Sequence, residues 1–199
     1  MKYIFYFLFI VIISSCSKTS RVDKLIREEL KSSLNNPESY KSIGTELDSA
    51  FAPYDNPILF EEMEVIYKAD SEIVTLESEM KQAKSLMTIG KRNNSHSFNY
   101  GLQKAKYDVA NNKILRLRNK IFEQCEKIMH LLQEKRKFIG YKAEHKYRAE
   151  NDAGKMVVNK TLFFIDKDFR EILYSIDVDK YNMLQEDIRD TEEEIKLAN

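Results

Sequence analysis

The strongest constraint on the fold is a pair of long segments in which apolar residues recur every three or four positions. In residues 58–89 this row comprises Phe60, Met63, Ile66, Ala69, Ile73, Leu76, Met80, Ala83 and Met87. A spacing that averages about 3.5 residues is typical of a helix that packs along another helix in a coiled coil. A second row comprises Leu102, Ala105, Val109, Ile114, Leu117, Ile121, Cys125, Ile128 and Leu132. The polar residues 90–101 between the rows predict a turn, so we expect an antiparallel helical hairpin.

The charges of the two segments favour this pairing. Residues 58–89 carry seven acidic residues and three Lys, whereas residues 101–138 carry ten Lys or Arg and four acidic residues. Opposite charges across the seam favour the antiparallel orientation, although each exposed ion pair contributes less than about 1 kcal/mol. The whole chain has 32 basic and 32 acidic residues. This balance argues against a protein that binds nucleic acid through its phosphates.

The rest of the chain predicts a small antiparallel sheet with a helix at each end. A first helix is expected from about Ser20 to Asn35, and alternating apolar residues in 39–51 predict a strand. Alternation resumes at residue 139, where the even-numbered residues 140–150 are expected to form a solvent-exposed face, and it predicts a three-stranded meander through residue 177. Residues 178–199 have the pattern of an amphipathic helix. The expected fold class is therefore α+β.

The N-terminal sixteen residues have the layout of a bacterial signal peptide. Lys2 is followed by the apolar run 3–13. As a helix this run would be about 16 Å long, against about 30 Å for the hydrocarbon core of a membrane, so it is too short to span one. The tetrapeptide Ile13-Ser14-Ser15-Cys16 resembles the lipobox of bacterial lipoproteins. This resemblance implies that residues 1–15 are removed and that Cys16 carries a diacylglycerol.

Acylation of Cys16 would hold the mature chain on a membrane outside the cytosol. Each buried methylene contributes about 0.8 kcal/mol, so two or three long chains such as palmitate anchor a protein almost permanently. Residues 17–21 contain no acidic cluster like that of a surface-export signal, so we expect a periplasm-facing position. Cys125 would be the only other cysteine, which excludes an intramolecular disulfide. Its place in the apolar row predicts a small core residue.

Two blocks outside the hairpin resemble a module of small Gram-negative envelope lipoproteins. The blocks are residues 34–40 (LNNPESY) and residues 145–154 (HKYRAENDAG), the second followed by residues 163–166 (FFID). That module joins a leading helix and a first strand to a later meander, so the resemblance implies that the hairpin is inserted between the first and second strands. It implies no activity. The expected segments are the signal peptide (1–15), helix and first strand (16–56), hairpin (57–138), meander (139–177) and terminal helix (178–199).

The sequence offers little that suggests catalysis. It contains no Gly-x-Ser-x-Gly motif and no Gly-rich phosphate loop, so we expect no enzyme and no cofactor. Glu126, His130 and Glu134 share one helical face and are the best metal-type set. They lack the Glu-x-x-His spacing of di-iron bundles, which favours an exposed polar face over a metal site.

The expected function is therefore contact with another envelope protein. A rigid hairpin would present either its sides or its polar tip. The candidate contact residues of the tip are Lys91, Arg92, His96, Phe98 and Tyr100, because exposed aromatic residues in loops often mark interfaces.

The alternative is a protein that binds a small ligand or a cell-wall fragment, or, less favoured, an enzyme. Either would use the strand face that carries Tyr141, His145 and Tyr147. A buried, hydrogen-bonded His145 packed beside aromatic rings is the purely structural explanation of the same pattern.

Overall fold

The computed structural model describes the backbone of residues 2–92 and 98–198 and the side chains of residues 18–89 and 100–193. These residues form four α-helices and one four-stranded sheet. In chain order the elements are α1 (Lys2–Ser33), β1 (Lys41–Ala52), α2 (Pro57–Arg92), α3 (Phe98–Leu132), β2 (Lys137–Glu150), β3 (Met156–Ile165), β4 (Ile172–Asp177) and α4 (Val178–Ala198). The α+β class is confirmed, as is the placement of both hairpin helices between β1 and β2.

The sheet is antiparallel throughout, with the strand order β1-β2-β3-β4. Thr45 of β1 lies opposite His145 of β2, and His145 lies opposite Thr161 of β3. The first strand therefore pairs with the second although the whole helical hairpin separates them in sequence. The three later strands form the predicted meander.

Helix α1 covers one face of the sheet. Its buried residues Val22, Ile26 and Leu30 pack with side chains from odd-numbered positions of β2 and β3, namely Ala143, Tyr147, Ala149, Phe163 and Ile165. The helix begins at Lys2, well before the predicted start near Ser20. Residues 2–20 contain neither Gly nor Pro, so nothing interrupts the helix there. Among the described residues, no helix combines the length and the apolar character needed to cross a membrane.

Helix α4 packs against β3 and β4 on the opposite face. The ring of Phe164 lies 6.1 Å from that of Tyr181, and Leu184 and Ile188 are fully buried. The sequence predicted that the even-numbered side of β2 would be wet, and this is only partly correct. On this side Lys146 and Arg148 are exposed, whereas Gly140 is buried and Lys142, Glu144 and Glu150 are half-buried.

The hairpin, residues 58–133, forms a compact unit with its own core. Ile73 and Leu76 of α2 pack against Ala110 and Ile114 of α3. Three ion pairs cross the seam: Glu62–Lys127 at 3.4 Å, Glu72–Lys113 at 2.5 Å and Glu77–Arg118 at 3.1 Å. The predicted charge complementarity and antiparallel pairing are therefore confirmed.

The apolar row predicted for α3 is wrong at several positions. Leu102, Val109 and Cys125 are exposed, while Gln103 and Gln124 are buried. A helix stays on its partner only if the contacting residues keep a seven-residue repeat. The repeat set by Ala110, Ile114, Leu117, Ile121 and Ile128 places the two Gln residues in the seam. The prediction that Cys125 is a core residue is accordingly wrong.

Candidate functional site

Most of the predicted contact and anchor side chains lie outside the described part of the structure. Cys16 belongs to α1, but its side chain is not among those described. The same holds for Lys91 and Arg92 at the end of α2 and for Phe98 at the start of α3, while His96 lies wholly outside the described residues. Tyr100, the remaining tip residue, is half-buried.

The three residues of the predicted ligand face do lie on one face of β2, beneath α1. The ring of His145 stacks on those of Tyr147 and Tyr40, with centroids 5.6 and 6.0 Å apart. His145 is only 1% exposed. Tyr141 lies farther along the strand and belongs to a different cluster, described below.

A continuous hydrogen-bond chain fixes the His145 ring. The Thr45 hydroxyl donates to Asp23 Oδ1 at 2.5 Å and lies 2.8 Å from His145 Nδ1. Since Thr45 has one hydroxyl proton and gives it to Asp23, it must accept a proton from Nδ1–H. Nε2 is then unprotonated and accepts from the Tyr40 hydroxyl at 2.9 Å. The chain runs in one direction from Tyr40 to Asp23, and each group in it is satisfied.

The protonation of this chain matches its geometry. Burial lowers the pKa of His145, against the opposing effect of the Asp23 carboxylate, so the neutral ring assumed above is favoured. Burial also raises the pKa of Tyr40, which keeps its hydroxyl a donor. Both ring nitrogens of His145 are occupied by protein groups. This geometry favours the structural explanation of the residue over a role in ligand binding or catalysis.

A second polar cluster, built around Asp55, lies on the opposite face. Asp55 is 7% exposed and accepts hydrogen bonds from Lys142 Nζ at 2.9 Å, Tyr181 Oη at 3.1 Å and the Phe51 amide at 2.8 Å. Burial first, and then the Asp55 carboxylate, strongly raise the pKa of Tyr181. The cluster joins the β1–α2 loop to β2 and α4.

Two shallow depressions of about 450 and 480 Å³ flank this cluster and share Asp48, Lys142 and Tyr181. Lys142 and Tyr181 already bond Asp55, and no buried side-chain nitrogen or oxygen among the described residues lacks a hydrogen-bond partner. The described side chains also contain no group of three His, Cys, Asp or Glu residues placed to hold a metal ion. The depressions could therefore accommodate a small molecule, but among the described residues no buried polar side-chain atom is left unbonded to hold it.

Aromatic rings and cations gather at the end of the sheet where β2 begins. We call this the end cluster: the rings of Phe51, Phe138, Tyr141 and Phe169 and the cations of Lys18, Arg136 and Lys167. Consecutive rings have centroids 5.9, 5.4 and 4.3 Å apart. Each cation lies within 6 Å of a ring centroid, with Arg136 the nearest at 4.2 Å. All seven residues belong to the sheet unit.

Phe169 takes its place in the end cluster at a local conformational cost. Its φ of 57° is in the left-handed region, which a bulky side chain adopts only at a cost of about 1–3 kcal/mol. Hydrogen bonds that the Asp166 carboxylate accepts from the amides of Asp168, Arg170 and Glu171 hold the turn. Although burial acts in the opposite direction, these bonds lower the pKa of Asp166. The turn thereby presents the ring to Tyr141.

The hairpin leaves a row of large apolar side chains outside its seam. Leu115, Phe122 and Met129 of α3 are 52%, 65% and 40% exposed, and Val74 of α2 is 62% exposed. The three α3 residues are seven apart and therefore lie on one side of the helix. Cys125 lies between the last two and is also exposed. We call this row, with Cys125, the hairpin stripe.

Comparison of the chain with protein-family models, with curated proteins and with solved structures gave no match.

Proposed function

We propose that this chain is a lipid-anchored protein of the bacterial cell envelope that binds another envelope protein through its helical hairpin, without catalysing a reaction. The anchor is a diacylglycerol on Cys16, and the body faces the periplasm. The observation that carries the contact function is the hairpin stripe.

The stripe is difficult to explain as part of a core. The seam already uses Ala110, Ile114 and Leu117, together with the α2 residues that face them. Residues 115, 122 and 129 repeat with the same period on a second side of α3, which is the pattern of a helix that packs against two neighbours. Exposed apolar residues that form a row, and are not scattered singly, mark contact surfaces.

The exposure of the hairpin stripe favours the side of the hairpin over its tip as the contact surface. The predicted tip residues remain candidates, but Tyr100 is half-buried and so presents only part of its ring. Phe122 is the most exposed aromatic side chain of the hairpin stripe. Aromatic residues of this kind contribute most to binding when a partner excludes water from them.

The contact is tested by placing a photo-crosslinking amino acid at position 122 and illuminating intact cells. Lys120 is the matched control, because it is exposed on the same helix but lies about 200° farther round it. We expect a discrete crosslinked protein from position 122 and none from position 120. Equal products at the two positions, or none at either, would contradict the proposed contact surface.

The anchor is tested separately by labelling cells with palmitate and measuring the mass of the purified protein. We expect a labelled protein that begins at Cys16, and no label in the Cys16→Ser variant. A protein that keeps Met1 and takes up no palmitate would refute the anchoring proposal while leaving the crosslinking result interpretable.

A further inference from the structure

We propose that the end cluster is a second membrane contact, in which its aromatic rings and cations lie against anionic lipid headgroups. This inference rests on the proposed acylation of Cys16. It goes beyond anchoring, because it states which surface of the folded body touches the bilayer and what chemistry it recognises there.

Chain connectivity places the end cluster beside the anchor. The ammonium group of Lys18 lies 5.5 Å from the centroid of the Tyr141 ring and 5.9 Å from that of Phe169. Cys16 precedes Lys18 by two residues, so their Cα atoms are at most about 7.6 Å apart. Acyl chains on Cys16 would therefore enter the bilayer within one or two side-chain lengths of the cluster.

The composition of the end cluster matches the interfacial layer of a membrane. A Tyr ring, which has a polar hydroxyl, concentrates at the level of the headgroups, and Phe rings enter the boundary between headgroups and acyl chains. Lys and Arg near the surface are attracted to anionic lipids. Lys18, Arg136 and Lys167 are all exposed. On the adjoining turn, Asp166 is occupied by backbone amides and Asp168 pairs with Arg170 at 3.5 Å. The charge of Asp168 is therefore compensated by Arg170, whereas Asp166 stays ionised and offsets part of the attraction of the nearby Lys167.

A protein partner would also be attracted to such a surface, but the anchor favours lipid. Acyl chains hold the surface at the bilayer permanently, whereas a soluble partner must arrive by diffusion. Each cation near an anionic surface contributes about a fivefold factor to binding, so three cations give more than a hundredfold preference for docking at low salt. A preference of this size would hold the folded body in one orientation on the membrane, and that orientation can be measured.

The test uses the natural absence of tryptophan from the chain. A Phe169→Trp variant of the acylated protein carries its single tryptophan in the end cluster, where it can be excited selectively over tyrosine, and Phe138→Trp is a second reporter for the case that the turn at Phe169 does not accept indole. Met156→Trp is the control, because Met156 is exposed and lies at the far end of β3 from the end cluster. It is nine positions, or about 30 Å, from Ile165, which precedes the turn that carries Phe169. Each variant is purified, its acylation is verified by mass, and it is reconstituted into vesicles that contain brominated lipid.

In vesicles of phosphatidylcholine and phosphatidylglycerol we expect bromine to quench the tryptophan at position 169 at least about twofold, and the tryptophan at position 156 by less than a tenth. The double substitution Arg136→Gln and Lys167→Gln should weaken docking about thirtyfold and reduce the quenching at position 169.

Equal quenching at positions 169 and 156 in an acylated protein would overturn the inference, leave the anchor standing, and indicate that the cluster faces something other than lipid, such as a protein. Equal quenching with and without phosphatidylglycerol would overturn the role of the cations. A preparation that carries no acyl chain would instead overturn the proposed anchor, and the inference with it.

Discussion

The Thr45→Val substitution tests whether the hydrogen-bond chain through His145 stabilises the fold. Valine has nearly the shape of threonine but cannot donate to Asp23 or accept from His145 Nδ1–H. The substitution therefore breaks the chain at its centre without opening a cavity. We expect it to destabilise the sheet unit because the His145 ring is buried and cannot replace the lost partner with water.

The size of the effect follows from the burial of each partner. His145 is 1% exposed, so its unpaired N–H contributes a penalty of about 1–3 kcal/mol. Asp23 is half-buried and can be partly hydrated, so the loss of the Thr45 donor adds about 1 kcal/mol. The free energy of unfolding should therefore fall by about 2–4 kcal/mol.

Urea denaturation followed by circular dichroism measures this change. Thr161→Val is the matched control, since Thr161 lies opposite His145 on β3 and no hydrogen bond of its hydroxyl to another described residue is seen. The control should change the free energy of unfolding by less than about 0.5 kcal/mol. Combining Thr45→Val with His145→Phe removes both polar partners and should recover part of the lost stability.

Two results would refute this reasoning. If Thr45→Val and Thr161→Val had the same effect, the hydroxyl of Thr45 would have no special role. If His145→Phe failed to offset any of the Thr45→Val effect in the double variant, the two residues would not act through a shared hydrogen bond.

Three further predictions also concern the sheet unit. Because burial lowers the pKa of His145 below its usual 6.5, against the opposing effect of Asp23, the unfolded chain binds the proton first as the pH falls. The free energy of unfolding should decrease below pH 6.5 by at most about 1.4 kcal/mol per pH unit from this group, and denaturation across pH should show that His145→Phe removes this slope. Gly140→Ala should lower the free energy of unfolding by about 3 kcal/mol, because φ at Gly140 is 151° and an added Cβ would overlap the carbonyl oxygen of Ile165. Gly44→Ala is the control in the same urea assay and should be nearly neutral, because a Cβ at Gly44 would enter open space. Asp55→Asn should lower stability by about 2–3 kcal/mol, because it leaves the mostly buried Lys142 ammonium without its counter-charge; an unchanged melting temperature would contradict this.

The fold was predictable where a local pattern repeats often enough to outweigh its exceptions. The odd-numbered positions 141–149 of β2 alternate with charged residues, and this alternation correctly predicted the buried side of the strand from Ala143 to Ala149. The partner of β1 could not be read from its own sequence. Pairing of Thr45 with His145 joins residues 100 positions apart, and the resemblance to a lipoprotein module implied only that the hairpin lies between the first and second strands.

The error in α3 shows how hydrophobicity and geometry can disagree. Val109 is more apolar than Ala110, so a search for apolar spacing selects Val109, yet the structure buries Ala110 and exposes Val109. A seam between helices requires a constant seven-residue repeat. Where that repeat falls on a small or amide side chain, such as Ala110 or Gln124, this residue is buried in the seam all the same. Cys125 belongs to both the mispredicted row and the hairpin stripe, whereas Leu115, Phe122 and Met129 lie outside that row, so a search for a single apolar row did not reveal the surface that now carries the proposed contact.

The end cluster illustrates a kind of site that sequence patterns do not reveal. Its rings come from the end of β1, the start of β2 and the turn before β4, and Lys18 comes from α1, so no segment contains more than three of its members. The sequence does contain one unusual residue choice. The turn requires the left-handed conformation at position 169, which glycine or asparagine adopts most readily, but the residue there is Phe169. Stacking on Tyr141 at 4.3 Å offsets part of that cost. Replacing Phe169 with Asn would relieve the backbone and remove the stack. Its effect on stability should therefore be small, while its effect on membrane docking should be large, and that separation distinguishes a surface kept for contact from one kept for folding.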